Sequence, residues 1–384
     1  MSRRDLGREP FDPDAIAGAP RVGGAALAAA SPWQLFWWRF RQHRMATAAL
    51  GFLVLLYLSL FATEFLAPYH RDSRDPAHIL APPQRLRFVH EGELRAPFVY
   101  GYRMRLDPRT LARLYEEDRS RIEPLRFFCH GDRYRLWGLI EADLHLVCPA
   151  PGGSFFLLGT DRLGRDLFSR LVYGARVSLT VGLCGIAVSF LLGILFGGLS
   201  GYYGGLVDHA VQRTIEVIRS FPTIPLWLSL SAAIPVWWDP IWVYFGITLI
   251  LGLIDWTGLA RAVRSKVLAL REEDFAQAAR LIGAGPRRIV FRHLLPSFAS
   301  HLIASVTLSI PSMILGETAL SFLGLGVRAP MVSWGVLLND AQNINVIVLY
   351  PWLVTPVVPV IAVVLAFNFL GDGLRDAADP YRSW

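Results

Sequence analysis

Residues 271–297 read REEDFAQAARLIGAGPRRIVFRHLLPS, and the placing of glycine and proline in this stretch decides how the chain is organised. Glu272 to Ile282 has the composition of a short helix, and Ala278 and Ala279 leave one of its faces almost smooth. Gly283 permits a backbone turn that a β-carbon hinders. Pro286 suits the first turn of a following helix, where its missing N–H costs nothing, and Pro296 interrupts the chain again. The stretch therefore reads as a compact helix–turn–helix. Its small residues allow close approach, and its arginines supply electrostatic steering toward a partner. A purely structural loop between two membrane helices fits the same residues.

On both sides of this loop the chain becomes apolar. Stretches 45–67, 177–200, 209–235, 240–262, 298–320 and 349–371 are each long enough to be considered as spans, at about 20 apolar residues apiece. The first is interrupted only by Glu64 near its far end. The stretch 209–235 carries Arg213, Glu216 and Arg219, then Pro222 and Pro225. It reads as a long helix whose charged half faces protein or water, because charges facing lipid are costly. Composition agrees with a bilayer protein: 53% of the 384 residues are hydrophobic and 18% charged, against about 25% charged in soluble domains. The 12 Trp and 23 Phe suit the membrane–water interface. No cleavable signal peptide is expected, because the first 44 residues are polar and the following apolar stretch is too long for one.

The formal charge of +7 comes almost wholly from arginine, Lys266 being the lone lysine. Arg39, Arg41 and Arg44 precede the first span, and residues 261–293 carry a local excess of five positive charges. The short connections at 236–239 and 321–348 hold a single basic residue, Arg328. The positive-inside rule therefore places the N and C termini and the 263–297 loop in the cytoplasm of a multi-pass membrane protein. The charge reads as topology, and no nucleic-acid partner is expected. Residues 1–32 have the composition of a disordered tail, and WQLFWWRFRQHR (33–44) that of an interfacial helix. The expected organisation is a cytoplasmic tail with this helix over 1–44, a first span at 45–67, an extracytoplasmic insertion at 68–157, and a membrane core at 158–384.

The insertion is too long for a mere connection. RLRFVH, FVYGYRMRL and DLHLV alternate like short strands, and Asp107-Pro108 offers an N-cap and first-turn pair for a helix over about 108–119. A small α+β subdomain is expected. Cys129 and Cys148 fall within it, on the oxidising side, so a disulfide between them is expected. Zinc held with His130 and His145 is the rival reading, disfavoured by the poor geometry of adjacent Cys129 and His130 around one tetrahedral ion; two free thiols are the remaining one.

Motifs for chemistry are missing. No G-x-x-x-x-G-K-[ST] loop is present to cradle ATP phosphates, H-E-x-x-H and G-x-S-x-G are absent, and the histidines lack ligand spacing. No catalytic residue, cofactor or metal is assigned. Ionisable groups within spans are transport-site candidates by default; here they are Glu216, Asp255 and Glu317, with Glu64 near an interface. Inter-helix hydrogen bonds explain them equally well.

QAARLIGAGPRRIVFRHLLP resembles the EAA signature of ABC-importer permeases, with Ala278, Ala279, Gly283, Leu295 and Pro296 on its positions. Gln277 stands in place of the leading Glu, and His293 where Ile is common. LGTDRLGRDLFSRLVYGARVSLTVG (158–182), GETALSFLGLG (316–326) and LGDGLRDAADP (370–380) resemble the dipeptide/oligopeptide (peptide/nickel) branch, in its C-type permease. The resemblance implies an all-α polytopic protein: six transmembrane helices, of which five form a MetI-like ABC-importer permease core. It also implies a homologous B-type permease partner in a heterodimer within the lipid bilayer, two cytoplasmic ABC ATPase subunits that bind the ATP and Mg, and an extracytoplasmic substrate-binding protein. The location implied is a bacterial inner membrane. Gln277, Ala278, Ala279, Gly283, Leu295 and Pro296 become ATPase-coupling residues, and Asp255 and Glu317 candidates for a gate or pathway. Peptides are the first expectation for substrate, with nickel chelates, glutathione-like thiols, opines or peptide-derived antibiotics as alternatives. An ATP-independent secondary transporter would need more intramembrane polar groups, and a membrane-anchored enzyme a catalytic set that the insertion lacks.

Overall fold

The computed structural model describes residues 31–108 and 113–378; most of the expected disordered tail, and the final residues, lie outside them. Ser31 caps helix α1 (Pro32–Gln42) by a reciprocal capping box with Gln34, which leaves Trp33 and Trp37 exposed and buries Phe40. The first apolar helix follows at once: α2 (Arg44–Ser59) runs on through short turns to make one span, Arg44–Leu66.

Among the described residues four more helices are long and apolar enough to cross a membrane: α3 (Leu167–Tyr203), α6 (Pro240–Leu270), α8 (Ala299–Phe322), and the stretch Pro351–Ala378 that includes α11 (Val357–Ala378). The expected span at 177–200 is the interior of α3, which begins ten residues earlier. Asp166 is its N-cap, accepting from the backbone N–H of Ser169 at 2.7 Å, so the LGTDRLGRD segment feeds straight into it without a separate external helix. At 1.5 Å per residue, 37 residues reach roughly 55 Å, well beyond a hydrocarbon layer of about 30 Å.

The expected single helix over 209–235 is corrected by the structure. It is two helices, α4 (Gly205–Arg219) and α5 (Thr223–Ala232). Pro222 lacks the N–H needed to continue α4 and sits in extended backbone as the N-cap of α5. The apolar part is ten residues long, about 15 Å, too short to cross alone.

What joins the long helices is close backbone approach. Gly193, Gly197 and Gly201 recur every four residues along α3. A β-carbon at Gly197 would fall 2.5 Å from the Ala260 carbonyl oxygen, and one at Gly201 2.8 Å from that of Arg264. From the other side, a β-carbon at Gly252 of α6 would meet the Gly185 carbonyl at 2.9 Å. Small residues at this spacing replace the missing hydrophobic drive with van der Waals contact between backbones. The remaining core packs α8 and α11 around this pair, with Leu179, Ile247, Leu251, Met313, Ile314 and Val363 wholly buried.

Between α2 and α3 lies an antiparallel meander, β1 (Arg87–His90), β2 (Glu93–Leu106), β3 (Arg113–Leu136) and β4 (Ile140–Pro149), in that order across the sheet. The three alternating segments noted in the sequence fall on β1, β2 and β4. The helix expected over 108–119 is not found from residue 113 onward: Arg113–Asp118 pairs with Gly101–Leu106 as strand. Tyr115 donates its hydroxyl to the Ile79 carbonyl at 2.7 Å, and Arg87 and Arg103 pair with Glu117 and Asp118. Cross-strand charge pairing thus outweighs a local capping signal. Among the described residues the insertion is strand and turn, with one 3-10 turn at Pro76–His78.

Cys129 of β3 and Cys148 of β4 are joined as a disulfide. The nearby histidines are engaged elsewhere: His130 pairs with Asp143 at 2.8 Å, and both ring nitrogens of buried His145 face the carbonyls of Ala67 and Asp132. Denatured, unreduced protein should therefore expose one thiol to maleimide, that of Cys184, and three after reduction. Gly197→Leu should destabilise the bundle by about 1–3 kcal/mol through overpacking, read as a lower temperature of thermal inactivation in detergent.

Candidate functional site: the helix–turn–helix at 271–298

The loop quoted at the outset folds as a small module with its own core. Helix α7 (Asp274–Leu281) turns Ala276 and Ala279 inward, where they pack with Ile289, Val290, Leu294 and Phe298 against Leu259, Val263 and Val267 of α6. Its end is a Schellman motif: the N–H of Ala284 reaches the Ala279 carbonyl at 3.0 Å and that of Gly283 the Arg280 carbonyl at 2.9 Å. Gly283 holds φ +82° with open space around it, so backbone conformation, and not crowding, requires glycine there. Pro286 opens the next turn. The backbone then widens into a π-helical turn, Ile289–Leu294, two residues before Pro296, which has no N–H to donate to a helical bond.

Of the residues singled out by sequence, Ala279 is buried, Leu295 half-buried, and Gln277, Ala278, Gly283 and Pro296 exposed. Gln277, at the position where Glu is usual, donates to the Glu272 carboxylate at 3.3 Å, so negative charge remains beside it. Sequence reasoning passed over the residues that protrude furthest. Leu281 and Ile282 are 89% and 83% exposed, and Phe275 and Phe291 are exposed as well. Two large aliphatic residues directly before a turn-forming glycine, with arginines on both sides, are the signal that would have found them.

The module is tied to the end of the α3–α6 pair. Arg271 donates to the carbonyls of Gly201 and Tyr202, each at 3.1 Å, and Arg280 lies over the Tyr202 ring at 5.4 Å. Two turns back along α6, Arg264 grips Asp208 of α4 through two nitrogens, each at 2.5 Å, while Ser200 of α3 donates to the same carboxylate at 2.5 Å. Three helices meet at this carboxylate. The bonds from Arg264 and Ser200 hold the Asp208 carboxyl below its ordinary value, against the opposing effect of burial.

The ionisable groups of the spans are not brought together. Glu317 of α8 is wholly buried and accepts from Ser178 of α3 at 2.9 Å and Ser321 at 2.7 Å. Ser178 in turn accepts the backbone N–H of Trp334 at 3.1 Å, the first residue of α9 (Trp334–Asn339). Asp255 is half-buried on α6, close to Ser312 of α8 and to Arg219, which donates to Thr257 at 3.1 Å. Glu64 is held by Arg176 through two bonds of 2.7 Å. Glu216 lies exposed on α4, paired with Arg213. Asp161 is a buried hub for Arg165 and Arg170, at 2.7 and 2.5 Å.

Asp208→Asn should raise amide hydrogen exchange across 205–219 while leaving β2–β3 unchanged. Because the Asp208 pKa is depressed on folding, the stabilisation from its carboxylate is full above the unfolded value and is lost as pH falls through the folded one. Wild-type α4 should therefore loosen in acid, and the Asn variant should lose that pH dependence.

Comparison with known proteins agrees with this architecture. Residues 193–383 match the family described as binding-protein-dependent transport system inner membrane component, and residues 31–83 match the N-terminal TM domain of oligopeptide transport permease C. The chain is 39% identical over 245 residues to the oligopeptide transport system permease protein OppC of Haemophilus influenzae, covering 62% of this chain and 75% of that one. It is 40% identical over 232 residues to the dipeptide transport system permease protein DppC of Bacillus subtilis, covering 60% and 70%. A solved structure of the MetNI methionine ABC transporter, inward facing, aligns with TM-score 0.43 at 20% identity, covering 55% of this chain and 97% of that one. The conserved extent of the first two relatives and the family match over the helical core lead to one conclusion: the chain belongs to the family of binding-protein-dependent transport system inner membrane components, as a permease of the oligopeptide and dipeptide type.

Proposed function

We propose that this chain forms half of the translocation pathway of an ATP-driven peptide importer, and that the 272–296 module is where the ATPases push. The single observation that carries the coupling role is the shape of that module. An exposed apolar knob, Leu281–Ile282, is presented by a fixed Schellman turn and backed by a buried core continuous with α6. Arg287, Arg288 and Arg292 follow it in the same module, all exposed, and favour encounter with an acidic cleft. Because the module is fastened to α3 and α4 as well as α6, a displacement there is carried along whole helices as rigid-body motion.

In this reading both termini and the module are cytoplasmic, and the β-sheet insertion lies outside the inner membrane. Helices α4 and α5, broken at Pro222, together make the remaining crossing that an even number of spans demands. A homologous B-type permease supplies the other half of the pathway, two ATPases carry the ATP and Mg, and an extracytoplasmic binding protein delivers substrate. The peptide assignment rests on the names of the relatives, which are oligopeptide and dipeptide permeases. Buried Glu317, satisfied by serines on two helices, braces the core at the outer gate; Asp255, half-buried beside Ser312, is the better candidate for a group on the pathway.

The test is reconstitution of the complex encoded with this chain. Leu281→Ala together with Ile282→Ala should weaken ATPase association by about ten-fold or more, the scale of losing an interface anchor. Gly283→Asp should abolish transport-coupled ATP hydrolysis while the permease pair still assembles. A complex that purifies without an ATPase chain overturns the reading. Ligands recovered with the binding protein decide between peptides and nickel chelates or thiols.

A further inference from the structure

The turn between β3 and β4 reads Trp137-Gly138-Leu139-Ile140, and it is more exposed than a soluble hairpin of this composition should be. Leu139 is 85% exposed and Ile140 63%. This turn lies against a membrane helix. The Trp137 indole N–H donates to the Phe61 carbonyl at 3.3 Å, and the two rings lie 5.7 Å apart. Phe61 belongs to the span Arg44–Leu66, five residues before its end. At 1.5 Å per residue the turn therefore reaches about 7 Å below the top of that span, the depth at which tryptophan collects in bilayers. Further along β3, Phe128 packs 6.1 Å from Phe65.

Two features continue outward from this contact. On the span, Leu55, Leu58 and Phe61 are all exposed, and Phe61 is the residue that Trp137 touches. Behind the turn, a cavity of about 760 Å³ is lined by Arg71, Arg133, Arg135 and Arg176, which outnumber the carboxylates of Glu64, Glu141 and Asp143 in the same wall by one. The Arg176 guanidinium lies 4.3 Å over the Trp137 ring while paired with Glu64. Arg135 pairs with Glu141 in an exposed position, where such a pair adds little and is readily exchanged for another anion. An apolar tip at interfacial depth, with arginines set directly above it, is the arrangement that meets acyl chains below and phosphates above.

We propose that the β3–β4 hairpin is a membrane-interface anchor: Trp137–Ile140 enters the leaflet beside the first span, and the arginines of the adjoining cavity take the phosphate groups of phospholipids there. The occupant is the lipid surface itself, because the exposed apolar residues of the span end at Phe61, the residue that Trp137 of the hairpin touches. The anchor fixes the insertion against the membrane without depending on which substrate passes.

The intact complex in phosphatidylcholine/phosphatidylglycerol nanodiscs provides the test. An environment-sensitive fluorophore is placed at Leu139→Cys, and in a second protein at Leu114→Cys at the opposite end of β3, both in a Cys184→Ser background. Lipids spin-labelled just below the headgroup should quench the probe at 139 several-fold more than the probe at 114. Equal quenching, including the case in which another subunit covers the turn, overturns the anchor. Native mass spectrometry supplies the second readout. Arg133→Gln and Arg135→Gln should each lower retained phosphatidylglycerol by about five-fold, the worth of one arginine at an anionic surface. Unchanged retention in a protein whose 139 probe is quenched overturns the phosphate assignment.

Discussion

The close approach of α3 and α6 is the constraint on which the rest of the structure depends. In lipid the solvent supplies no hydrophobic drive to press two apolar helices together, so contact must come from backbones that fit. Gly193, Gly197 and Gly201 on one side, and Gly252 on the other, leave no room for a β-carbon. That contact sets the register of the two helices along their whole length. It brings Gly201 and Tyr202 within reach of Arg271, and Ser200 and Arg264 to the same carboxylate of Asp208. Toward the other end of α3, Ser178 meets Glu317 and Trp334. Polar ties of this kind are short-range, and a slip of one residue along the glycine stripe would break all of them.

Much of this was legible in the sequence, and the pattern of success has a physical reason. Long apolar stretches identify themselves because hydrocarbon offers the backbone no alternative to a helix, so the five long spans fell where length and composition put them. The helix–turn–helix was legible because Gly283 and Pro286 dictate backbone angles directly. The break in 209–235 was visible as Pro222, yet its consequence was misjudged. A charged amphipathic helix and a short apolar one have the same average composition as one long span. The helix expected at 108–119 failed for a different reason. Its capping signal at Asp107-Pro108 is local and worth about 1 kcal/mol, whereas the strand that replaces it is specified by partners far away, including Tyr115 with Ile79 and Arg103 with Asp118.

Site residues divide along the same line. Small and turn-forming residues of the 271–298 module could be picked out because their roles are set by their own backbone. Leu281 and Ile282 could not, since exposure is a property of the fold, and two aliphatic residues in a periodic helix read as core. The intramembrane carboxylates show the converse. Glu317 stood out by being charged within a span, but the structure surrounds it with hydroxyls from Ser178 and Ser321. A charge so fully engaged is suited to holding helices together and poorly placed to contact a passing solute.

The distribution of stability then follows from how each part is attached. The 271–298 module packs on α6 through apolar contact and is tied to α3 by hydrogen bonds to carbonyls, which hold direction as well as distance. A push on its exposed tip has no soft joint in which to dissipate before reaching the long helices. The sheet, by contrast, meets the bundle through side chains: Trp137 at Phe61 and under Arg176, Phe128 at Phe65, and His145 at Ala67 just past the first span. In the proposed import cycle, an insertion held this way keeps its orientation to the membrane while the helices move, which is what a fixed platform beside a moving pathway requires.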